Sequence, residues 1–356
     1  MKKKKILVDL SILKNVYCGL GQVALNYGYY FKENYSASAN YELYLLMPKE
    51  LFGIFGSEVK YVESNNRKKF LPFLTGKYDV WHAIHQLSKY PPFYWNTKYI
   101  LTIHDLNFLY EKKGAKIKKY YRRIRRKVNR ASKIVCISQF TKDEVTKNFK
   151  LRKKKIDVVY NGVNLFDVQN QKKPDFVKND KPFFFTIGET NAKKNFHVLL
   201  PLMKLFPEKE LYVAGKIVMP YAQKMLDMIE TEKLHNVHLT GTVSNEERTW
   251  LYTNCEAFLF PSLLEGFGLP VIEAMSFGKP VFSSKETSLK EIGGDCAFFW
   301  DSFDTDRMKE VIDRHLPLFY ASPDNAEKNR LYAENFSYAK HMEKYREIYM
   351  EMLSIS

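Results

Sequence analysis

Residues 261–280 read Pro-Ser-Leu-Leu-Glu-Gly-Phe-Gly-Leu-Pro-Val-Ile-Glu-Ala-Met-Ser-Phe-Gly-Lys-Pro. The preceding Ala257, Phe258, Leu259 and Phe260 form a short apolar run of the kind buried in a sheet. Pro261 ends that run. Pro270 suits the first position of a helix, where its missing N–H costs nothing. Gly278 suits the helix C-terminus, and Pro280 stops continuation. The order is therefore strand, loop, helix. Backbone N–H groups of such a loop, with the helix N-terminus, make an anion site that needs no side chain. Gly266 and Gly268 let the backbone approach a phosphate or a sugar closely. Glu265 stands in the loop, and Glu273 lies about one turn into the helix. A phosphate repels a carboxylate, so the useful partner of each is a hydroxyl, as on a sugar or a ribose. Two carboxylates bracketing an anion nest fit a nucleotide sugar better than a bare phosphate. The plainer alternative is one carboxylate facing the helix dipole and one surface glutamate.

Working outward, the same alternation recurs. Short apolar runs at 6–10, 42–47, 80–82, 99–103, 134–137 and 156–159 read as strands in the first half. In the second half they stand at 183–187, 211–214, 237–239, 257–260 and 280–283. Strands alternating with helix-like segments indicate α/β architecture with mostly parallel sheets. Residues 167–182, rich in Gln, Asn, Lys and Asp with two prolines, read as a linker. The expected organisation is an N-terminal domain over 1–170 and a C-terminal domain over 171–336, each doubly wound. Ligands in such folds bind beyond the carboxyl ends of the strands. The last helix, about 337–356, carries Met342, Tyr345, Tyr349 and Met352 at helical spacing as a buried stripe. Two packings are open to it, on its own domain or back on the first.

The chain has 356 residues, of which 45% are hydrophobic and 27% charged, so two ordinary cores are affordable. Disordered, collagen-like and disulfide-scaffold classes are excluded. Net charge is +16, but unevenly spread: residues 1–174 hold 35 Lys/Arg and 13 Asp/Glu (+22), residues 175–356 hold 21 and 27 (−6). Four cysteines, Cys18, Cys136, Cys255 and Cys296, lack metal-ribbon spacing and read as reduced core thiols. The basic start at 1–5 precedes an apolar stretch too short for a signal peptide, and no run is long enough to span a membrane. A cytoplasmic protein, peripheral at most on the inner face of a membrane, is expected.

The spacing Glu265-x7-Glu273 within 261–281 resembles the donor-site signature of retaining glycosyltransferases of the GT-B fold, family 4. The resemblance extends through Gly19-Leu20-Gly21, Thr102-Ile103-His104-Asp105-Leu106 and Ile137-Ser138-Gln139-Phe140-Thr141. It continues through Asn161-Gly162-Val163-Asn164, Lys193-Lys194-Asn195 and Gly241 before Val243-Ser244. It implies two Rossmann-like domains facing a central cleft, an acceptor-side domain followed by a nucleotide-sugar domain.

The resemblance assigns roles residue by residue. Glu265 would contact hydroxyls of the donor sugar, and Glu273 the ribose. Backbone around Gly266, Phe267, Gly268 and Leu269 would meet the diphosphate and sugar. Lys194 matches the diphosphate-binding lysine, with Asn195 as the expected N-cap of a helix over 196–206. Many relatives carry Arg after the strand glycine. Here Gly188 is followed by Glu189, and Lys193 is the candidate to compensate. His104, by resemblance, lies near the transferring sugar, donating a hydrogen bond or polarising the acceptor. Asp105 would hold that ring or cap the following turn. Gly19 and Gly21 would border the cleft, and His82 and His85 would line its acceptor side. As catalytic groups the resemblance offers His104, Glu265 and Lys194, with front-face attack and the leaving diphosphate accepting the acceptor's proton. No D-x-D triplet calls for a divalent ion, so neither metal nor cofactor is expected. The implied partners are a nucleotide sugar (GDP-mannose first, a UDP-sugar next) and a glycan or lipid-linked acceptor in surface polysaccharide assembly. A catalytically inactive sugar-nucleotide-binding subunit and an epimerase of the same fold are the alternatives.

Residues 112–133 hold twelve Lys/Arg and no Asp or Glu, with Ile117, Tyr120, Tyr121, Ile124, Val128 and Ala131 at helical spacing. This predicts one amphipathic helix with a dense cationic face. Its partner would be solvent or an anionic membrane surface rather than nucleic acid, for which no recognition motif is present.

Overall fold

Phe183-Phe184-Phe185-Thr186 is buried at every position, so neither face of that strand can meet water. A strand apolar on both sides requires helices above and below it, which is the setting of parallel sheets. The computed structural model describes residues 3–16, 19–36, 38–152, 154–163 and 169–354. Cys18 and Asn164 lie outside the described residues. Among the described residues two sheets are present, and every strand pairing in them is parallel.

The first sheet contains β1 (Lys4–Asp9), β2 (Tyr41–Met47), β3 (Lys60–Glu63), β4 (Val80–Ala83), β5 (Lys98–Ile103), β6 (Lys133–Cys136) and β7 (Ile156–Val158). Their order is β3-β2-β1-β4-β5-β6-β7. The second contains β8 (Phe183–Ile187), β9 (Glu210–Ala214), β10 (Val237–Gly241), β11 (Ala257–Phe260), β12 (Val281–Ser284) and β13 (Ala297–Trp300), in the order β10-β9-β8-β11-β12-β13. Each winds outward from a central strand and then returns to that strand's other side. The winding, though not the strand direction, therefore reverses between β1 and β4 in one sheet, and between β8 and β11 in the other. Edge strands β3 and β13 were not expected from the sequence. The first is only four residues with no fully buried position, so it carries little hydrophobic signal.

By contacts the chain forms two units, Met1–Gly162 with Tyr338–Ser356, and Val163–Ser337. In the first, period-two alternation sends Ile6 and Val8 into one core and Leu7 into another on the opposite face. The C-terminal helix, Tyr338–Leu353, contributes Met342, Tyr345, Ile348 and Tyr349 to the core around Ile6, Val8 and Tyr27. Its buried phenols find partners there. Tyr349 Oη lies 2.7 Å from His82 Nδ1, and Tyr345 Oη lies 2.7 Å from Thr102 Oγ1. His82 Nε2 lies 2.9 Å from the same threonine, and its ring stacks on Tyr345. His82 is fully buried. With both nitrogens engaged, it clamps the C-terminal helix and does not line an acceptor surface. The sequence shows a histidine after a strand but not which helix covers it.

Gly19 and Gly21 are not in a loop. They form the first turn of the helix Gly19–Asn34. A Cβ on Gly21 would fall 2.2 Å from the Asn15 carbonyl oxygen, so this glycine permits close packing of the helix on the preceding turn.

The basic helix spans Ala115–Arg130. Its cations divide into two sets. Arg123 donates to the carbonyls of Leu87 and Ser88, Lys127 to those of Gln86 and Ser88, and Arg130 to those of Tyr94, Trp95 and Thr97. These three hold the segment between β4 and β5 and are not part of an outward cationic face. Burial, reinforced by Arg123, brings the Lys127 ammonium down to about 7. Lys116, Lys118, Lys119, Arg122, Arg125 and Arg126 remain exposed, as does Lys113 just before the helix. Among the described residues no helix is long and apolar enough to cross a membrane.

Burial also lowers four histidines of the first unit, His82 and His85 to about 3, and His104 and His341 to about 4. An unfolded chain protonates them near ~6.5. As pH falls below that value the unfolded state binds protons that the folded state refuses, so stability present at neutral pH is lost toward pH 4. Each histidine contributes up to ~1.4 kcal/mol per pH unit in that window. The thermal midpoint of the first unit is expected to fall between pH 7 and pH 5, and His82→Gln to flatten the fall. A midpoint constant across this range would contradict the assignment.

Candidate active site

β8 and β11 are neighbours on opposite sides of the winding reversal, and the carboxyl ends of strands at such a reversal are where ligands bind in doubly wound sheets. The residues singled out in the second half of the sequence converge there. After β8 comes Gly188, then the short 3-10 turn Ala192–Lys194. After β11 comes the loop holding Ser262 and Glu265, then the helix Leu269–Ser276.

Lys194 Nζ sits 2.6 Å from Glu265 Oε1, with the two side chains 12% and 15% exposed. The pair is thus shielded yet open on one side. Lys194 Nζ also stands 4.8 Å from the centre of the Phe260 ring. The Ser262 hydroxyl lies 2.6 Å from Glu265 Oε1 and 3.1 Å from the Lys193 carbonyl, and its single proton serves one at a time. Leu263 N–H donates to the Lys193 carbonyl at 2.7 Å, joining the two loops. Glu265 N–H donates to Thr287 Oγ1. Thr287 holds φ at +54°, an uncommon state for a β-branched residue and a form of local strain typical of functional sites. The Ser288 hydroxyl is shared between the carbonyls of Glu265 and Phe267, 3.0 Å from each. The loop is therefore fixed from β12's side as well as from β8's.

Gly268 caps the helix with φ of +104°, and a Cβ there would meet Leu289 Cδ2 at 2.6 Å. Only glycine fits both constraints. The helix begins one residue earlier than expected, at Leu269, with Pro270 second. Glu273 Oε2 accepts from Tyr252 Oη at 2.9 Å, and Arg248 approaches its other oxygen at 4.0 Å. Burial and the Glu273 carboxylate raise the Tyr252 phenol well above its ordinary value, so Tyr252 remains a donor. Neither Tyr252 nor Arg248 was foreseen. They stand one helical turn apart on Asn245–Asn254, and nothing local marks them as partners of a residue on another helix. Ser262 lay within the quoted stretch, but its role depends on where the Lys193 and Glu265 loops meet.

Asn195 does not cap a helix through its side chain. It adopts a left-handed conformation at φ +58°, ending one 3-10 turn and starting another, and the regular helix spans Leu199–Lys204. Asparagine tolerates this region better than most residues. Glu189 is exposed, while Lys194 has Glu265 as its ion-pair partner.

In the first unit, His104 follows β5 and is 6% exposed. Its Nε2 lies 2.8 Å from the Ile84 carbonyl. A carbonyl only accepts, so Nε2 carries the ring proton, and Nδ1 is left with its lone pair. Burial brings the ring down to about 4, so it is neutral at pH 7. The expectation that His104 donates a hydrogen bond is corrected, because its remaining nitrogen can only accept. Gln86 ties the region together, accepting from His104 N–H and donating to the Asp105 carbonyl. Asp105 Oδ1 accepts from Asn107 N–H, which is the turn-capping alternative. His85 is buried, and its Nδ1 accepts from Leu87 N–H.

The chain matches two family profiles, "Glycosyltransferase Family 4" over residues 64–166 and "Glycosyl transferases group 1" over residues 167–319. It is 30% identical over 190 residues to the O-antigen chain mannosyltransferase RfbU of Salmonella typhimurium, across 52% of this chain and 51% of RfbU. The match thus spans about half of that relative's length. In three dimensions it resembles a glycosyltransferase from Rickettsia africae, with TM-score 0.75, 20% identity and all of both chains covered. It also resembles Anabaena HepE in complex with UDP and glucose, with TM-score 0.74, 16% identity, and 98% and 100% of the two chains covered. The consecutive profile matches and the two Rossmann-like units of parallel sheet agree, and the chain belongs to the family 4 glycosyltransferases of the GT-B fold.

Proposed function

We propose that this protein transfers a sugar from a nucleotide-diphosphate sugar to a hydroxyl of a glycan or lipid-linked acceptor, with retention at the anomeric carbon, during surface polysaccharide assembly. The observation that carries this reading is the Lys194–Glu265 pair at the β8/β11 reversal, 2.6 Å apart and held by Ser262. A donor of this class is anionic at the diphosphate and hydroxylated at the sugar. An ammonium and a carboxylate fixed side by side match those two ends. Glu273, steadied by Tyr252, is assigned to the ribose. The amides around Gly266–Leu269 and the N-terminus of the following helix are assigned to the diphosphate.

In the proposed step the bond between the anomeric carbon and the diphosphate oxygen breaks. The acceptor oxygen bonds to that carbon on the same face, and its proton passes to the departing diphosphate. Glu265 is committed to Lys194, Ser262 and sugar hydroxyls, which makes it a poor nucleophile and supports front-face attack over a covalent intermediate. The protein then supplies positioning and stabilisation of the leaving charge through Lys194 and loop amides. Neutral His104, in the first unit, can accept a hydrogen bond at Nδ1 from a sugar hydroxyl without taking its proton. GDP-mannose is the first donor to test, in line with the mannosyltransferase name of RfbU. UDP-sugars are next, in line with the UDP held by HepE. We also assign the outward cations of the basic helix to an anionic membrane surface, which would place the enzyme peripherally on the cytoplasmic face.

Hydrogen bonds to charged groups contribute ~1.5–3 kcal/mol. Losing one that strengthens in the transition state slows turnover about 10- to 150-fold. Glu265→Ala is expected to lose at least that much activity while melting as the wild type does, and normal turnover by this variant would sink the assignment. In a thermal-shift screen of nucleotide sugars, the true donor is expected to raise the melting temperature, since a ligand at ~100 times its Kd adds ~2.7 kcal/mol to the folded state. Lys194→Ala should abolish that rise. A shift of equal size in the variant would exclude Lys194 from the donor site.

A further inference from the structure

Two short segments of the first unit expose large apolar side chains in excess of what scattered surface residues explain. In one, Phe70 is 72% exposed, and Leu71, Phe73 and Leu74 lie at 44–47%. In the other, Phe93 is 51% and Trp95 85% exposed. The rings of Phe73 and Phe93 meet edge to face with centroids 5.9 Å apart, so the two segments make one patch. Exposed apolar surface of this continuity marks an interaction site.

The patch is held rigidly. Arg130, at the end of the basic helix, lies 5.1 Å from the Trp95 ring and donates to the carbonyls of Tyr94, Trp95 and Thr97. Asn65 caps the turn that carries Phe70, accepting from Lys68 N–H. The charged surroundings are mostly basic, with Glu63 and Asp79 at the margins, Glu63 accepting from the Asn65 side chain and Asp79 paired with Lys4. Residues 65–78 contain Arg67, Lys68, Lys69 and Lys77 and no Asp or Glu, and residues 86–104 contain Lys89 and Lys98 and no Asp or Glu.

We infer that Phe70, Leu71, Phe73, Leu74, Phe93 and Trp95 form an apolar anchor that enters the headgroup–acyl boundary of a bilayer containing anionic lipid. Aromatic rings with a lysine and arginine rim are the side chains that settle at this boundary, the rings below and the cations at the headgroups. A second copy of the chain fits less well, because a two-fold contact would bring each basic rim against its own duplicate. The inference deepens the proposed role of the basic helix and rests on that reading for the source of the anionic charge. It adds an insertion step that the helix cations, which act at a distance, do not supply.

Trp95 makes the test direct. Trp81 and Trp300 are buried at 1% and 2% exposure and Trp250 is half-buried, so a change of emission on lipid reports chiefly Trp95. The full chain is mixed with vesicles of phosphatidylcholine alone, or with phosphatidylglycerol added, and followed by co-sedimentation, tryptophan emission and quenching by brominated acyl chains. Wild type should bind the anionic vesicles, with blue-shifted emission and bromine quenching. F70S/F93S should partition about tenfold or more weakly, with an unchanged melting temperature because both positions are exposed. K118Q/R122Q/R125Q should bind less, yet its bound fraction should still be quenched. If this helix variant binds as wild type does and F70S/F93S does not, the helix reading fails and the anchor stands. Bound wild type with unquenched, unshifted emission would overturn the anchor. So would equal binding by F70S/F93S, absence of binding by wild type, or self-association that F70S/F93S abolishes.

Discussion

Parallel pairing is the constraint on which the rest depends. Strands buried on both faces, such as β8 with its three consecutive phenylalanines, cannot be joined by hairpins without exposing one face. They must be joined by crossovers that lay helices on each side. Every strand then ends at the same edge, and loops after successive strands gather there. Because β8 and β11 are neighbours across the winding reversal, the loops after them lie side by side. Lys194 arrives from one and Glu265 from the other, though they are far apart in sequence. The signature loop becomes a candidate site because the sheet delivers a cation to it.

The same edge explains how polar groups are used in each unit. In the second, Ser262, Thr287 and Ser288 hold the signature loop by hydrogen bonds to backbone and carboxylate. In the first, Gln86, Lys127 and Arg123 tie down the segment after β4, and His104 leans its ring proton on Ile84. Buried polar groups without partners are costly, so each network fixes one geometry. The cost is charge. Three of the twelve cations at 112–133 turn inward to backbone carbonyls, leaving a narrower outward face than the sequence implied.

Much of the candidate site in the second unit was legible in the sequence. Proline and glycine punctuation marked the strand, loop and helix around Glu265, and the eight-residue spacing to Glu273 placed both carboxylates in one local frame. Lys193-Lys194-Asn195 was readable by resemblance. The first unit was less so. His82 lies near the end of β4 and His104 just after β5, yet one clamps the C-terminal helix and the other stands at the loop edge. Sequence position gives each the same prior. Tyr252 and Arg248 carried no signal, since a helix surface residue shows nothing of the helix it will face.

The sequence alone determined local states and one-dimensional order: alternating strands and helices, two sheets, the signature loop and the charge imbalance between halves. These follow from periodicity, backbone chemistry and composition, which are properties of neighbouring residues. Only the tertiary structure decided which cations are spent inside, that Asn195 turns left-handed where a cap was expected, that Gly19 and Gly21 open a helix, and that Tyr345 and Tyr349 close over the first sheet. The inward cations and the closing tyrosines turn on the pairing of polar groups distant in sequence. The free energy of such a pair depends on burial and on geometry to a few tenths of an ångström, and neither is encoded in the residues nearby.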